Sequence, residues 1–167
     1  MNKWLEILKK DDYISAKRFI AEGGDVNECS ENGESVFAYA LRYKCDDDLL
    51  DLLVENGADL DDFDENGVSI FEMAITYDNL KMVKLFIDRG IDVNATRRRS
   101  RFTPLMTAVC YGRGEIVKLL IANGADKNAV DAKGISVVDF ARKLNKKSLL
   151  PLLDYDENAP KNLGYAR

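Results

Sequence analysis

Apolar residues recur along this chain with helical spacing, in short runs that stop and restart. Between Glu115 and Asn123, Ile116, Val117, Leu119 and Leu120 fall on one side of a predicted helix. A bulky apolar pair closes each run: Phe19-Ile20, Leu52-Leu53, Phe86-Ile87 and Leu120-Ile121. A glycine follows each pair, at Gly23, Gly57, Gly90 and Gly124, in steps of 34, 33 and 34 residues. Hydroxyl residues keep the same register at Ser35, Ser69, Thr103 and Ser136. Five residues after each stands an alanine: Ala40, Ala74, Ala108 and Ala141.

One unit shows why. Thr103 before Pro104 predicts a helix N-cap followed by a first turn that has no use for an N–H. Leu105 and Ala108 then share a face, and the small alanine lets a second helix approach closely. Gly112 ends the first helix by entering the left-handed region, and Gly124 stops the second. Asp131 and Gly134 predict a tight turn in the segment beyond. Each unit is therefore helix, turn, helix and projecting loop. A single copy cannot bury its apolar stripe, whereas stacked copies can.

The period of about 33 residues, Thr-Pro-Leu-x-x-Ala at 103–108 and Gly-Ala-Asp at 57–59 and 124–126 resemble the ankyrin repeat. The resemblance implies an all-α ankyrin-repeat solenoid of about five units, at about 1–31, 32–65, 66–99, 100–132 and 133–155, with degenerate end repeats and a tail at 156–167. It also implies a stand-alone protein of bacterial type, non-catalytic, that binds another protein through loop tips and a concave helix face. An inhibitor, an immunity protein or an assembly factor for one partner would fit.

The chain departs from the family pattern at several points. It has no histidine, so the place after the Thr-Pro-Leu motif holds Ala38, Glu72, Met106 and Asp139. The family's histidine there bonds the neighbouring backbone, and its loss implies weaker order between repeats. An extra residue falls near 44–48, between the helices of the second unit. The loop at 95–102 is one residue longer than its counterparts and lacks the glycine they carry at Gly33, Gly67 and Gly134. Pro151 is expected in the first turn of a last helix capped by Ser148. In the tail, Tyr155 or Leu163-Tyr165 is expected to pack on the last repeat.

Composition narrows the function. The 167 residues are 46% hydrophobic, enough for one continuous core. The net charge of -5 and a pI near 4.9 repel phosphate backbones, so nucleic acid is not the default partner. Cys29, Cys45 and Cys110 are odd in number and widely spaced, as in a reduced, cytoplasmic chain. The first ten residues do not read as a secretory leader, and no apolar run is long enough to cross a membrane. Without histidine the commonest general base is missing, and no Gly-rich phosphate loop is present; no catalytic residue and no cofactor are expected. Asp62-x-Asp64-x-Asn66-Gly67 resembles the opening of a calcium loop, but its twelfth residue is Met73 where a bidentate Glu is required. No metal ligand is assigned. A monomer is expected.

Two patterns point to a binding surface. Tyr43, Tyr77 and Tyr111 recur at intervals of 34, each three residues after its repeat's alanine. The resemblance places them at first-helix ends beside the concave groove, with Arg42 adjacent. A ladder of phenols about 10 Å apart would be either a binding stripe or packing between repeats. Charge is also segregated. Residues 45–66 carry ten acids and no Lys or Arg, including Asp64 and Glu65 beside Phe63. Arg97, Arg98, Arg99 and Arg101 follow within five residues, next to Phe102. Four cations in a loop without its turn glycine point to electrostatic docking of a partner. The alternative is nucleic-acid binding through this same basic loop.

Overall fold

The structure is a computed structural model that describes residues 1–155. Its first helices are α1 (Asn2–Lys9), α3 (Val36–Arg42), α5 (Ile70–Thr76), α7 (Pro104–Cys110) and α9 (Val137–Lys143). The second helices are α2 (Tyr13–Ala21), α4 (Asp47–Glu55), α6 (Leu80–Asp88) and α8 (Gly114–Ala122), and a 3-10 helix at Lys147–Leu153 completes their row. The first helices pack one upon the next, and each second helix packs on the first helix of its own pair. This is an all-α solenoid.

Capping decides where the first helices begin. The hydroxyls of Ser35, Ser69, Thr103 and Ser136 each accept from the amide three residues on. Ser69 with Glu72, and Ser136 with Asp139, form full capping boxes. These acids occupy the place of the family's histidine and serve their own helix N-termini. Seven-residue helices are too short to stand alone, so their stability comes from packing. In α5, six of the seven residues are buried, and Ala40, Ala74, Ala108 and Ala141 are fully enclosed.

The turn between paired helices uses the left-handed region every time, at Asp11, Lys44, Asp78, Gly112 and Asn145. Only Gly112 adopts it without steric penalty; the others are non-glycine residues held there by the packed helices on either side. Trp4 is buried and donates its indole N–H to the Asp25 carbonyl, 2.8 Å away, which anchors α1. Asn27 and Asn94 tie repeats together: each donates to the carbonyl of the next repeat's stop glycine (Gly57, Gly124) and accepts from an amide two residues further on (Asp59, Asp126). The Cys45 thiol lies against the Leu8 carbonyl, and burial pushes its pKa up to about 12, so it stays a thiol.

Two local expectations need correction, and the one for Tyr155 holds. Ser148 is not a cap. The last element begins at Lys147 as a 3-10 helix, because Pro151 inside it offers no N–H to an α-helical ladder. Leu119 is half-buried, while Ile116, Val117 and Leu120 are enclosed. Tyr155 packs against the core with the Arg142 guanidinium 5.6 Å from its ring; Leu163 and Tyr165 lie outside the described residues.

Candidate partner-binding surface

Between each second helix and the next first helix the chain makes a hairpin. Three of these close in the same way. A bridge joins Cys29 to Ser35, Phe63 to Ser69 and Val130 to Ser136. Two residues before each N-cap sits a glycine with positive φ: Gly33, Gly67 and Gly134. Five residues before it sits an acceptor. Asp64 Oδ1 takes the amides of Asn66 and Val68, and Asp131 Oδ1 takes those of Lys133 and Ile135. Ser30 Oγ takes that of Glu34. The acceptor fixes the turn from inside. Asp64 is thereby committed to its own backbone.

The third hairpin, 97–103, is built differently. Arg98 holds the acceptor's place and Arg101 the glycine's, with φ at 55°. A guanidinium has no acceptor atom, so the inner bonds cannot form. Arg98 N donates to Thr96 Oγ1 instead, and Arg101 N donates to the Arg98 carbonyl. The Ser100 carbonyl accepts from Ala132 N, which ties this loop to the fourth hairpin. Towards the second hairpin, the Arg97 carbonyl runs so close that a Cβ on Gly67 would lie 2.8 Å from it.

The Arg98 side chain turns inward. Its Nε lies 3.5 Å from Oε1 of Glu72, which is only 1% exposed, and its Cζ lies 5.3 Å from the Phe102 ring centroid. Among the described residues Glu72 Oε1 has no hydrogen-bond partner within normal reach, while Oε2 accepts from Ser69. Burial raises the Glu72 pKa, and the Arg98 charge opposes that rise without cancelling it. Arg97 stands over Phe63, 4.2 Å from the ring centroid, a cation–π contact. Arg99 and Arg101 are exposed. Between the second and third hairpins lies an open cleft of about 820 Å³, lined by residues 63–67 on one side and by 97–100 with Phe102 on the other. It brings together seven of the residues singled out from the sequence, Phe63, Asp64, Glu65, Arg97, Arg98, Arg99 and Phe102; Arg101, in the same hairpin, is not part of its lining.

The three tyrosines occupy one structural position, the C-caps of α3, α5 and α7. Their surroundings differ. Tyr43 stacks on Tyr39 of its own helix at 6.0 Å and is 37% exposed. Tyr111 is 52% exposed beneath Arg113. Tyr77 is half-buried, and its hydroxyl accepts from Arg42 Nε at 3.3 Å. Arg42 also pairs with Glu34, so it clamps one hairpin to the next repeat. No ring pair joins the three tyrosines among the described residues. Arg113 makes a similar cross-repeat tie, donating Nη2 to the Thr76 carbonyl at 2.6 Å.

Two signals at this surface escaped the sequence reading: the buried Glu72–Arg98 pair and the bridging asparagines. Glu72 was legible only as a misplaced histidine equivalent. That it meets an arginine 26 residues away follows from the hairpin fold and from nothing local. No helix among the described residues is long and apolar enough to cross a membrane.

Stacked helical pairs with projecting hairpins define a repeat solenoid. Comparison with known proteins supplies the family. The profile "Ankyrin repeats (3 copies)" matches residues 7–97, and "Ankyrin repeats (many copies)" matches 96–141. The chain belongs to the ankyrin repeat family, whose repeats generally mediate protein–protein interaction and are typically non-catalytic. Among curated relatives, a fowlpox virus protein named for its ankyrin repeats is 33% identical over 86 residues, 51% of this chain and 13% of the relative. One from Acanthamoeba polyphaga mimivirus is 32% identical over 85 residues, 50% of this chain and 52% of the relative. The E3 ubiquitin-protein ligase hecd-1 of Caenorhabditis elegans is 36% identical over 67 residues, 40% of this chain and 2% of that protein. The chain thus spans at most about half of these relatives' lengths.

Proposed function

We propose that this chain is a non-catalytic module that binds one partner protein through its hairpin tips and the ends of its first helices. The observation that carries this reading is where the exposed large apolar side chains fall. Phe63 and Val130 start hairpins, while Tyr43, Tyr111 and Leu144 cap first helices. The remaining one among the described residues, Ile14, lies on α2 at the end of the stack, and α4, α6 and α8 expose none. Exposed apolar and aromatic side chains at the hairpins and first-helix ends, and not on α4, α6 or α8, support a protein interface there. The arginines of the third hairpin stand beside Phe63, with Arg97 over its ring. Tyr43, Tyr111, Phe63, Arg97 and Arg99 are the residues proposed to meet the partner, in the cytoplasm, with the chain as a monomer. Arg42, Tyr77 and Arg98 position them. A dedicated inhibitor, immunity protein or assembly factor is the role that suits such a surface.

The test is capture from native lysate. Wild type is compared with Tyr43→Ala/Tyr111→Ala and with Arg97→Ser/Arg99→Ser, all exposed changes expected to leave the melting temperature in place. Both variants are expected to lose the captured protein. Retention by both at wild-type levels would overturn the proposal.

A further inference from the structure

Rather than a general basic patch, the third hairpin has the makings of a specific receptor, and this inference rests on the partner-binding reading above. In the second and fourth hairpins an internal carboxylate takes two backbone amides, those three and one residues before the N-cap. In the third hairpin the corresponding amides are Ser100 N and Phe102 N. Neither finds an acceptor among the described residues, and both residues line the cleft. The carboxylate that would take them has been replaced by Arg98, whose guanidinium is drawn to Glu72 and Phe102. Arg97 is held over Phe63 and Arg99 is exposed, so both guanidinium groups stand at the cleft.

We infer that the third hairpin seats a carboxylate from the partner, an Asp or Glu side chain in an extended acidic segment. It supplies from outside what Asp64 and Asp131 supply from inside. One of its oxygens accepts from Ser100 N and Phe102 N, as Asp64 Oδ1 and Asp131 Oδ1 each accept two amides, while Arg97 and Arg99 provide charge-assisted bonds. Glu72 acts as a positioning residue: it draws Arg98 inward and keeps that side chain from filling the seat.

The test is an amide-resolved NMR titration of the full chain at low ionic strength. The probes are an amidated penta-aspartate peptide, its penta-asparagine counterpart and a short oligothymidylate. Penta-aspartate is expected to move the Ser100 and Phe102 amide resonances downfield and to bind about tenfold more tightly than penta-asparagine. Arg98→Asp/Glu72→Gln rebuilds the self-closed turn without leaving a buried acid unpaired, and the response of those two amides should vanish. Arg97→Gln/Arg99→Gln, on exposed side chains, gives a second check and should weaken penta-aspartate binding about tenfold. Stationary Ser100 and Phe102 resonances, or tighter binding of the oligothymidylate, would overturn the inference. If those amides stay still while partner capture still depends on Tyr43 and Tyr111, only the carboxylate seat falls. If capture is indifferent to every surface variant, the broader reading falls whatever penta-aspartate does.

Discussion

The second and third hairpins occupy the same place in successive repeats and solve the same geometric problem in opposite ways. The second is self-sufficient: Asp64 closes it, Gly67 turns it, and a bridge joins Phe63 to Ser69. The third has an arginine at each of the positions held by Asp64, Gly67 and Phe63. It is held by its neighbours: Glu72 below, the second hairpin on one side and Ala132 on the other. A loop that stabilises itself has used up its polar groups. One stabilised from outside leaves them free for a partner, and that contrast is the basis for placing recognition at the third hairpin.

The largest expected effect comes from the contact between the two. Gly67→Ala puts a Cβ 2.8 Å from the Arg97 carbonyl at a residue with φ of 75°. Strain and displacement together should remove about 2–3 kcal/mol, read as a drop in the urea midpoint. Gly134→Ala meets nothing within 4 Å among the described residues, and should lose only about 1 kcal/mol from backbone strain. Equal losses would show that the hairpins do not lean on each other. Next in size, Asp131→Ala frees two amides that the buried Asp131 carboxylate holds, and should lose about 1–2 kcal/mol by the same assay.

The opposite sign is expected at Arg101. Arg101→Gly relieves a left-handed non-glycine residue, and should add about 1 kcal/mol, raising Tm by about 2–4 °C. No gain would mean that its side chain compensates for the strain. The smallest effect concerns Glu72. Burial holds its carboxyl above the ordinary value, with Arg98 opposing and Asp64 contributing slightly to the rise. The folded chain therefore binds that proton more tightly than the unfolded chain does. Its contribution is most favourable at low pH and is lost as pH rises through the window between the ordinary and the raised value. Melting curves across that window should show wild type losing ground to Glu72→Gln as pH rises. A constant difference would contradict the assignment.

How much of this was legible depends on the range of each interaction. Glycine and hydroxyl residues in a 33–34 residue register revealed the helix pairs, because caps and stops are local chemistry: Ser35, Ser69, Thr103 and Ser136 cap as read. The irregular third loop was visible too, through its missing glycine. The partners of its arginines were not, since Glu72, Phe63 and Phe102 meet them only once repeats stack. Tyr43, Tyr77 and Tyr111 kept their register but not their equivalence, because Arg42 reaches across a repeat to Tyr77 alone. The left-handed Lys44, Asp78 and Asn145 were hidden for a similar reason: only Gly112 signals that conformation by its own chemistry. Pro151 is compatible with the first turn of an α-helix by its own chemistry, and only the packed chain shows that it lies inside a 3-10 helix instead.

The most direct test compares native-state amide exchange in the free chain. After correction for intrinsic rates, Asn66, Val68, Lys133 and Ile135 should exchange at least about tenfold more slowly than Ser100 and Phe102, as amides bonded to a carboxylate differ from amides open to water. Equal protection across the three hairpins would mean that the third is closed like the others, and that it holds no open site for a partner.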